Sequence, residues 1–97
     1  MLRENLRIYL CSSSPVFRNW VESSLQASGV KVFAKLRSET EPYSLDKKFF
    51  NCFVSSDAVT PEGFNRCICV PVRSGLEELK FGVQALILSQ LPEFWQQ

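Results

Sequence analysis

The sequence predicts an α/β domain with a small, mainly parallel sheet of about four strands and two main helices. Two patterns predict it: short apolar runs bounded by turn residues, and two longer stretches in which apolar residues recur every three or four positions. The order strand, helix, strand over residues 6–36 is a third observation, since such a unit places its two strands parallel in one sheet. With 97 residues, 45% of them hydrophobic, we expect one domain over residues 1–97.

The first strand–helix–strand unit is clear from local signals. The apolar run Leu6–Cys11 predicts a strand, and Ser14 is placed to cap the first free amides of a helix over Pro15–Ser28. Proline at the first helical position loses no hydrogen bond, and Gly29 provides the left-handed stop. The alternating segment Val30–Leu36 then predicts the second strand.

The second half of the chain carries two more strands and a helix. Residues 37–48 are charged and lack an apolar period, which favours a solvated connecting loop over the alternative of a docking site. The continuous apolar run Phe49–Val54 is typical of a strand covered on both faces by helices, and residues 55–63 form a turn-rich loop. Cys67–Val72 predicts the fourth strand, and the spacing of apolar residues over Leu76–Leu91 predicts the second main helix.

Composition excludes several classes of function. The chain contains no histidine, so Ser-His-Asp and Cys-His catalysis, phosphohistidine chemistry and zinc–histidine sites are excluded. A net charge of +1 and a pI near 7.6 give no electrostatic footprint for nucleic acid or an anionic membrane. Composition therefore favours a binding or interaction module without identifying its partner, and we expect no cofactor or metal.

The four cysteines lie in predicted strands, which indicates reduced residues of a cytoplasmic core. Cys67 and Cys69 would share a face, and Cys52 could lie on a neighbouring strand, so a thiolate metal site is conceivable. The spacing is not that of a zinc knuckle, which favours buried small apolar residues instead. No stretch approaches the about 20 apolar residues that span a bilayer, so no membrane insertion is expected.

Polar residues follow the predicted strands at their carboxyl ends, where open parallel sheets bind ligands. Asp57 follows the third strand, with Pro61 four positions later. This order resembles the flavodoxin-like receiver domain of two-component signalling, in which an aspartate there accepts a phosphoryl group. The resemblance implies acidic metal ligands after the first strand, but residues 12–14 are serines, and the chain is too short for the fifth strand with its lysine.

A closer resemblance is to the α/β/loop domain (ABL) of Rcs-type hybrid sensor kinases, itself a truncated receiver-like fold. The likeness includes the end of the first helix at residues 24–30 and the aspartate-bearing segment at residues 53–59. It implies a non-catalytic interaction and signal-relay module of a bacterial two-component phosphorelay sensor histidine kinase. The implied partners are a kinase, receiver or phosphotransfer domain, or a response regulator. The implied location is the cytoplasm, or the cytoplasmic part of a membrane-anchored sensor.

An alternative function is a phosphocarrier or phosphatase that uses Cys11. Residues 11–18 look like the phosphate-binding loop of low-molecular-weight phosphatases and of sugar-transport IIB phosphocarriers, which carry a cysteine at the end of the first strand. The interval from Cys11 to Arg18 is one residue longer than in the phosphatases, so Arg18 is expected to point away from the loop. The loop also lacks the glycine needed to fold tightly around an anion.

The residues predicted to contact a partner lie after the strands and in the C-terminal tail. Phe94 and Trp95 follow the helix-breaking Pro92, and they form either an exposed anchor or a segment folded back over the sheet edge. The full predicted partner-binding set is Asp57, Arg73, Ser74, Phe94 and Trp95.

Overall fold

Four parallel strands form the sheet of this protein in a computed structural model that describes residues 2–70 and 84–95. The strands of this described part are β1 (Leu6–Cys11), β2 (Val32–Leu36), β3 (Phe50–Ser55) and β4 (Arg66–Cys69). Their order across the sheet is β2-β1-β3-β4, which is compatible with a truncated flavodoxin-like fold. The predicted fold class, a small parallel sheet with few helices, is confirmed.

The main described helix, α1 (Pro15–Gln26), begins at the predicted residue and ends two residues before the predicted end. The Ser14 hydroxyl accepts from the Phe17 amide at 3.2 Å. The stop is made at Gly29, whose φ of 78° lets the Val30 amide reach back to the Leu25 carbonyl at 3.0 Å. The chain therefore reverses directly into β2.

The remaining helices are short or only partly described. A 3-10 helix, Arg3–Asn5, precedes β1; helical residues 84–89 form α2, and Pro92–Trp95 form α3. Pro92 was expected to end the second main helix; the structure has a turn at residue 90, and Pro92 begins α3. Residues 76–83, half of that predicted helix, lie outside the described residues, and so do the predicted contact residues Arg73 and Ser74.

One face of the sheet, the helix face, packs against α1, α2 and α3. Its core is mainly aliphatic, as expected where two regular elements pack through branched side chains. Alternate residues of each strand point to this face, which gives the period of two seen in the sequence. Its buried members include Ile8, Leu10, Val21, Leu25, Cys52, Val54, Ile87, Leu91 and Phe94.

The opposite face, the loop face, is covered by the loops after β2 and β3. Tyr9 and Phe53 lie at its centre, buried beneath Tyr43 and Phe64 from the two loops. The Tyr9 hydroxyl donates to the Ser44 carbonyl at 3.3 Å, which ties the first loop to the sheet. Residues 37–48 were predicted as a solvated connector. The loop is confirmed and most of its residues are exposed, but the half-buried side chain of Tyr43 also closes the apolar face of the sheet. The expectation of helices on both faces of β3 is therefore wrong, because loops cover this face.

The two loops also contact each other on this face. Gly63 has a φ of 94°, and a Cβ built there would lie 3.2 Å from Leu45 Cδ1. A residue other than glycine at position 63 would therefore have a strained backbone, and its side chain would push on the neighbouring loop.

None of the described helices is long and apolar enough to cross a membrane.

Candidate functional site

The carboxyl edge of the sheet is where β1 and β3 end, and it carries the three serines that follow β1, Ser12, Ser13 and Ser14. Ser12 is 4% exposed, and its hydroxyl accepts from the Ser14 amide at 3.1 Å and from the Ser56 hydroxyl at 3.2 Å. Its own amide donates to the Leu36 carbonyl at 3.0 Å. Ser12 thus joins the ends of three strands through hydrogen bonds, and its oxygen is occupied by protein donors.

Arg18 lies against the same loop. Its guanidinium donates to the Ser12 carbonyl, so the expectation that Arg18 points away from the loop is wrong. The physical reason is the start of α1, where Arg18 is one helical turn beyond Ser14 and the side chain folds back over the N-terminus. The arginine closes the loop onto itself.

Asp57 follows β3 and is exposed, as expected of a residue after a buried strand. Its amide donates to the buried Ser55 hydroxyl at 3.0 Å, and its carbonyl accepts from the Val59 amide at 2.9 Å. These bonds use the main chain to shape the loop. Within residues 2–70 and 84–95 no donor reaches its carboxylate, which faces solvent.

Cys11 ends β1 and is 2% exposed. Burial raises the pKa of its thiol, and the carboxylates of Glu39, Asp57 and Glu41 raise that pKa further, against a lowering effect of Arg18. A cysteine nucleophile needs the opposite, a lowered pKa and an electropositive, partly open setting. This edge is chemically suited to keeping Cys11 a neutral thiol.

The other cysteines are placed apart. Cys52 belongs to the helix-face core, whereas Cys67 contacts the loop-face cluster, because their positions in the register alternate between faces. Cys69 is exposed on β4, which corrects the expectation that all four are core residues; the strand assignment is confirmed for each. Among the described residues, no group of three or more metal-ligating side chains lies close enough to hold an ion.

Phe94 is a core residue in the described structure. It is 4% exposed and meets the Phe50 ring edge to face, with 5.3 Å between centroids. Beside it, Arg66 and Glu93 pair at 2.9 Å and hold α3 against the start of β4. Of the two alternatives for Phe94, the exposed anchor is therefore wrong, and the segment is folded back over the sheet edge. Burying the aromatic ring stabilises the folded-back segment relative to a solvent-exposed chain end. The side chain of Trp95 lies outside the described part of the chain.

The opposite, amino edge of the sheet carries a site that the sequence did not predict. The Arg7 guanidinium lies 4.0 Å from the Phe33 ring centroid and 3.7 Å from that of Phe49. Phe33 is 52% exposed, and no hydrogen bond to the Arg7 guanidinium occurs among the described residues. The sequence feature that could have indicated this site is Arg7 itself, a single charged residue in the otherwise apolar strand β1.

Basic residues surround this stacked arginine. Lys31 precedes β2, and Lys47 and Lys48 precede β3; all three are exposed. On the helix-face side of the same edge, a cleft of about 330 Å³ is lined by Arg3, Glu4, Leu6, Gly29 and Lys31. We call Arg7, Lys31, Phe33, Lys47, Lys48 and Phe49 the amino-edge patch.

Comparisons of this chain with protein families, with curated proteins and with solved structures found no match. Its function is therefore inferred from the fold and from the geometry of the two edges of the sheet.

Proposed function

We propose that this chain is a non-catalytic interaction and signal-relay module of a bacterial two-component phosphorelay sensor kinase. Its partners are the kinase, receiver or phosphotransfer domains of that relay, or the response regulator. The proposal combines the resemblance to the α/β/loop domain with a strand order compatible with a truncated receiver. Its working location is the cytoplasmic side of the sensor.

One observation carries the proposal. At the carboxyl edge, where a receiver would bind a divalent cation through carboxylates, Ser12 is buried and hydrogen bonded to Ser14 and Ser56. A magnesium ion prefers carboxylate and water oxygens, and transfer of a phosphoryl group to Asp57 requires such an ion to offset charge. The edge therefore supports a receiver-like shape without receiver chemistry.

A second observation, the loops that cover one face of the sheet, supports the resemblance to the α/β/loop domain. Helices cover one face of the sheet, and the described loops after β2 and β3 cover the other through Tyr43 and Phe64. A parallel sheet normally needs helices on both faces, so loops that do this work are a distinctive architecture. Exposed loops positioned by a rigid sheet are also common sites of protein recognition.

The alternative, a phosphocarrier or phosphatase built on Cys11, receives no support from the geometry. The thiol is buried, its pKa is raised by burial and by nearby carboxylates, and Arg18 is directed to the loop backbone. A phosphate bound there would meet acidic side chains rather than a positive cradle.

The proposal is tested by binding. The chain is titrated in a calorimeter with the purified kinase core, receiver, phosphotransfer domain and response regulator of a phosphorelay from the same organism. We expect saturable binding to at least one of them and no binding to the matching domains of an unrelated relay. Absence of binding to every relay domain would contradict the proposal.

A chemical control separates this role from that of a working receiver. The ¹⁵N-labelled chain is mixed with Mg²⁺ and beryllofluoride, a mimic of a phosphoryl group on aspartate. We expect no saturable amide shifts at residues 55–58. Shifts there that vanish in the Asp57→Asn variant would show that phosphoacceptor chemistry survives and would overturn the non-catalytic assignment.

A further inference from the structure

The amino-edge patch contains hydrogen-bond donors, those of the Arg7 guanidinium, that no acceptor among the described residues uses. Arg7 is half-buried, and its guanidinium is stacked between the rings of Phe33 and Phe49 at 4.0 and 3.7 Å. Stacking fixes the plane of the group while leaving its N–H donors at the edge of that plane. Among residues 2–70 and 84–95, no carboxylate or carbonyl accepts from those donors.

The register of the sheet explains how the stack forms. Arg7 pairs with Asn51 in β3, so Phe49, two residues earlier, lies on the same face one step toward the amino edge. Between β1 and β2 the register shifts, since Ile8 pairs with Val32 but Tyr9 pairs with Ala34, and Phe33 is the extra residue. The bulge turns Phe33 toward Arg7 and Tyr9 and leaves half of the ring exposed.

The charge around the stack has one dominant sign. Residues 3–4, 31 and 46–48, which flank the amino ends of the strands, include four basic and two acidic side chains. One of the acids, Asp46, is already engaged, because its carboxylate accepts from the Lys48 amide at 2.9 Å. Among the described residues, Lys31, Lys47 and Lys48 are exposed and form no salt bridge, so their ammonium groups are accessible to an external carboxylate.

From these contacts we infer that the amino-edge patch binds an acidic segment of a partner protein, with a carboxylate paired to Arg7 and an apolar side chain on Phe33. A planar guanidinium forms two parallel hydrogen bonds with a carboxylate, and a preordered donor loses little entropy on binding. Arginine beside an exposed aromatic ring is also the composition typical of an interface hot spot. The inference rests on the proposed function for the class of partner, which is a protein.

Nucleic acid is a weaker fit to the same patch. The whole chain has a net charge of only +1, and Glu4 and Asp46 interrupt the basic residues along the edge. A phosphate backbone needs a continuous basic track, and its binding energy comes mainly from the number of phosphates neutralised. A short acidic segment needs only the local group of cations that is present.

The test uses fluorescence anisotropy with a labelled peptide of alternating glutamate and leucine, and with a matched peptide in which glutamine replaces glutamate. We expect saturable binding of the glutamate peptide alone. The Arg7→Gln variant is expected to bind it about tenfold more weakly, and Arg7→Lys to show a smaller loss, because lysine keeps the charge but not the planar fork. Each variant is first checked by its amide NMR spectrum.

Arg37→Gln is the matched control, since Arg37 is an exposed arginine after β2, at the carboxyl edge. It removes the same charge and is expected to leave binding unchanged within about twofold. Where Arg7→Gln fails to fold, the loss in Arg7→Lys relative to Arg37→Lys carries the test. The inference is overturned if neither peptide binds, if both bind equally, or if the variants at positions 7 and 37 weaken binding equally.

Two further probes separate other ligand classes. Single-stranded DNA and vesicles containing phosphatidylserine are titrated at the same ionic strength, and tighter binding of either one than of the glutamate peptide would also overturn the inference. The peptide titration uses no phosphorelay domain, so a negative result in it does not contradict the proposed function. A negative result in the calorimetric titration with relay domains likewise does not contradict binding of the acidic peptide.

Discussion

The two edges of the sheet differ in how they use their polar groups. At the carboxyl edge, the Ser12 hydroxyl accepts from the Ser14 amide and the Ser56 hydroxyl, and Arg18 donates to the Ser12 carbonyl. The Asp57 carboxylate at this edge faces solvent. At the amino edge, Arg7 makes ring contacts only, among the described residues. Hydrogen-bonding capacity that the fold consumes cannot bind a ligand, so the edge where function was expected is the less available one.

The edges also differ in charge. Glu39, Glu41 and Asp57 all act on Cys11 at the carboxyl edge, whereas lysines dominate the amino edge. The net charge of +1 hides this division. Local charge, rather than the total, sets which partner surface can approach.

The largest expected effect separates two phenylalanines near the amino edge. Phe94→Ala should lower the free energy of unfolding by about 3–4 kcal/mol, because a buried ring is lost and a cavity is left. Phe33→Ala should cost about 1 kcal/mol or less, since half of the ring is already exposed. Urea unfolding followed by tryptophan fluorescence measures both. Equal losses would show that Phe33 is a core residue and not part of a binding surface.

The second expected effect is a difference in thiol reactivity between Cys11, at the carboxyl edge, and the exposed Cys69. At pH 8, a thiol reagent should modify the exposed Cys69 much faster than Cys11, since the Cys11 side chain is 2% exposed and its pKa is raised by burial and acidic neighbours. Mass spectrometry of peptides after timed labelling gives both rates, and Cys69→Ser serves to isolate the slower site.

The modification of Cys11 should still accelerate as the pH rises past 9, because burial and acidic neighbours raise its pKa above the ordinary thiol value and the thiolate is the reactive form. Rapid labelling of Cys11 at pH 7 would contradict this setting for the thiol and would favour the phosphate-loop alternative.

A smaller effect is expected at Ser12. Ser12→Ala should destabilise the fold by about 1–2 kcal/mol, because the Ser14 amide and Ser56 hydroxyl lose their acceptor. The exposed Ser13 provides the matched control, and Ser13→Ala should change stability by about 0.5 kcal/mol or less. Chemical unfolding of the two variants makes the comparison. A neutral Ser12→Ala would show that the bonds of Ser12 are replaceable.

The smallest effect is expected at Asp57, whose carboxylate faces solvent in the described structure. Asp57→Asn should alter the free energy of unfolding by about 0.5 kcal/mol or less, since the loop is held by main-chain atoms of this residue. If partners dock at the amino edge, their affinity should also stay unchanged in calorimetry. Weaker binding would instead show that the carboxyl edge contributes a contact, as the sequence predicted.

Much of the fold could be predicted because its signals are local. The observed β1 has the predicted bounds, and α1 follows from Ser14, Pro15 and the stop at Gly29. The helix face has a regular apolar period on both partners, so its core was predictable as well.

The loop face and the amino-edge patch depend on contacts between distant residues. Tyr43 has no periodic neighbours that would show it packing on Tyr9, and the Arg7 stack requires the register shift that places Phe33. A one-residue bulge leaves no mark in the sequence pattern that separates it from a regular strand. The general rule for parallel sheets therefore pointed to the carboxyl edge, where Ser12 and Arg18 are already hydrogen bonded within the protein.

The most direct test of the amino edge as the docking surface is an amide NMR map of the chain bound to the relay domain that calorimetry identifies. We expect the largest shifts at Arg7, Lys31, Phe33 and Lys48, with residues 12–14 and 55–57 unchanged. Shifts confined to residues 12–14 and 55–57, with the amino edge silent, would contradict a docking role for the amino-edge patch.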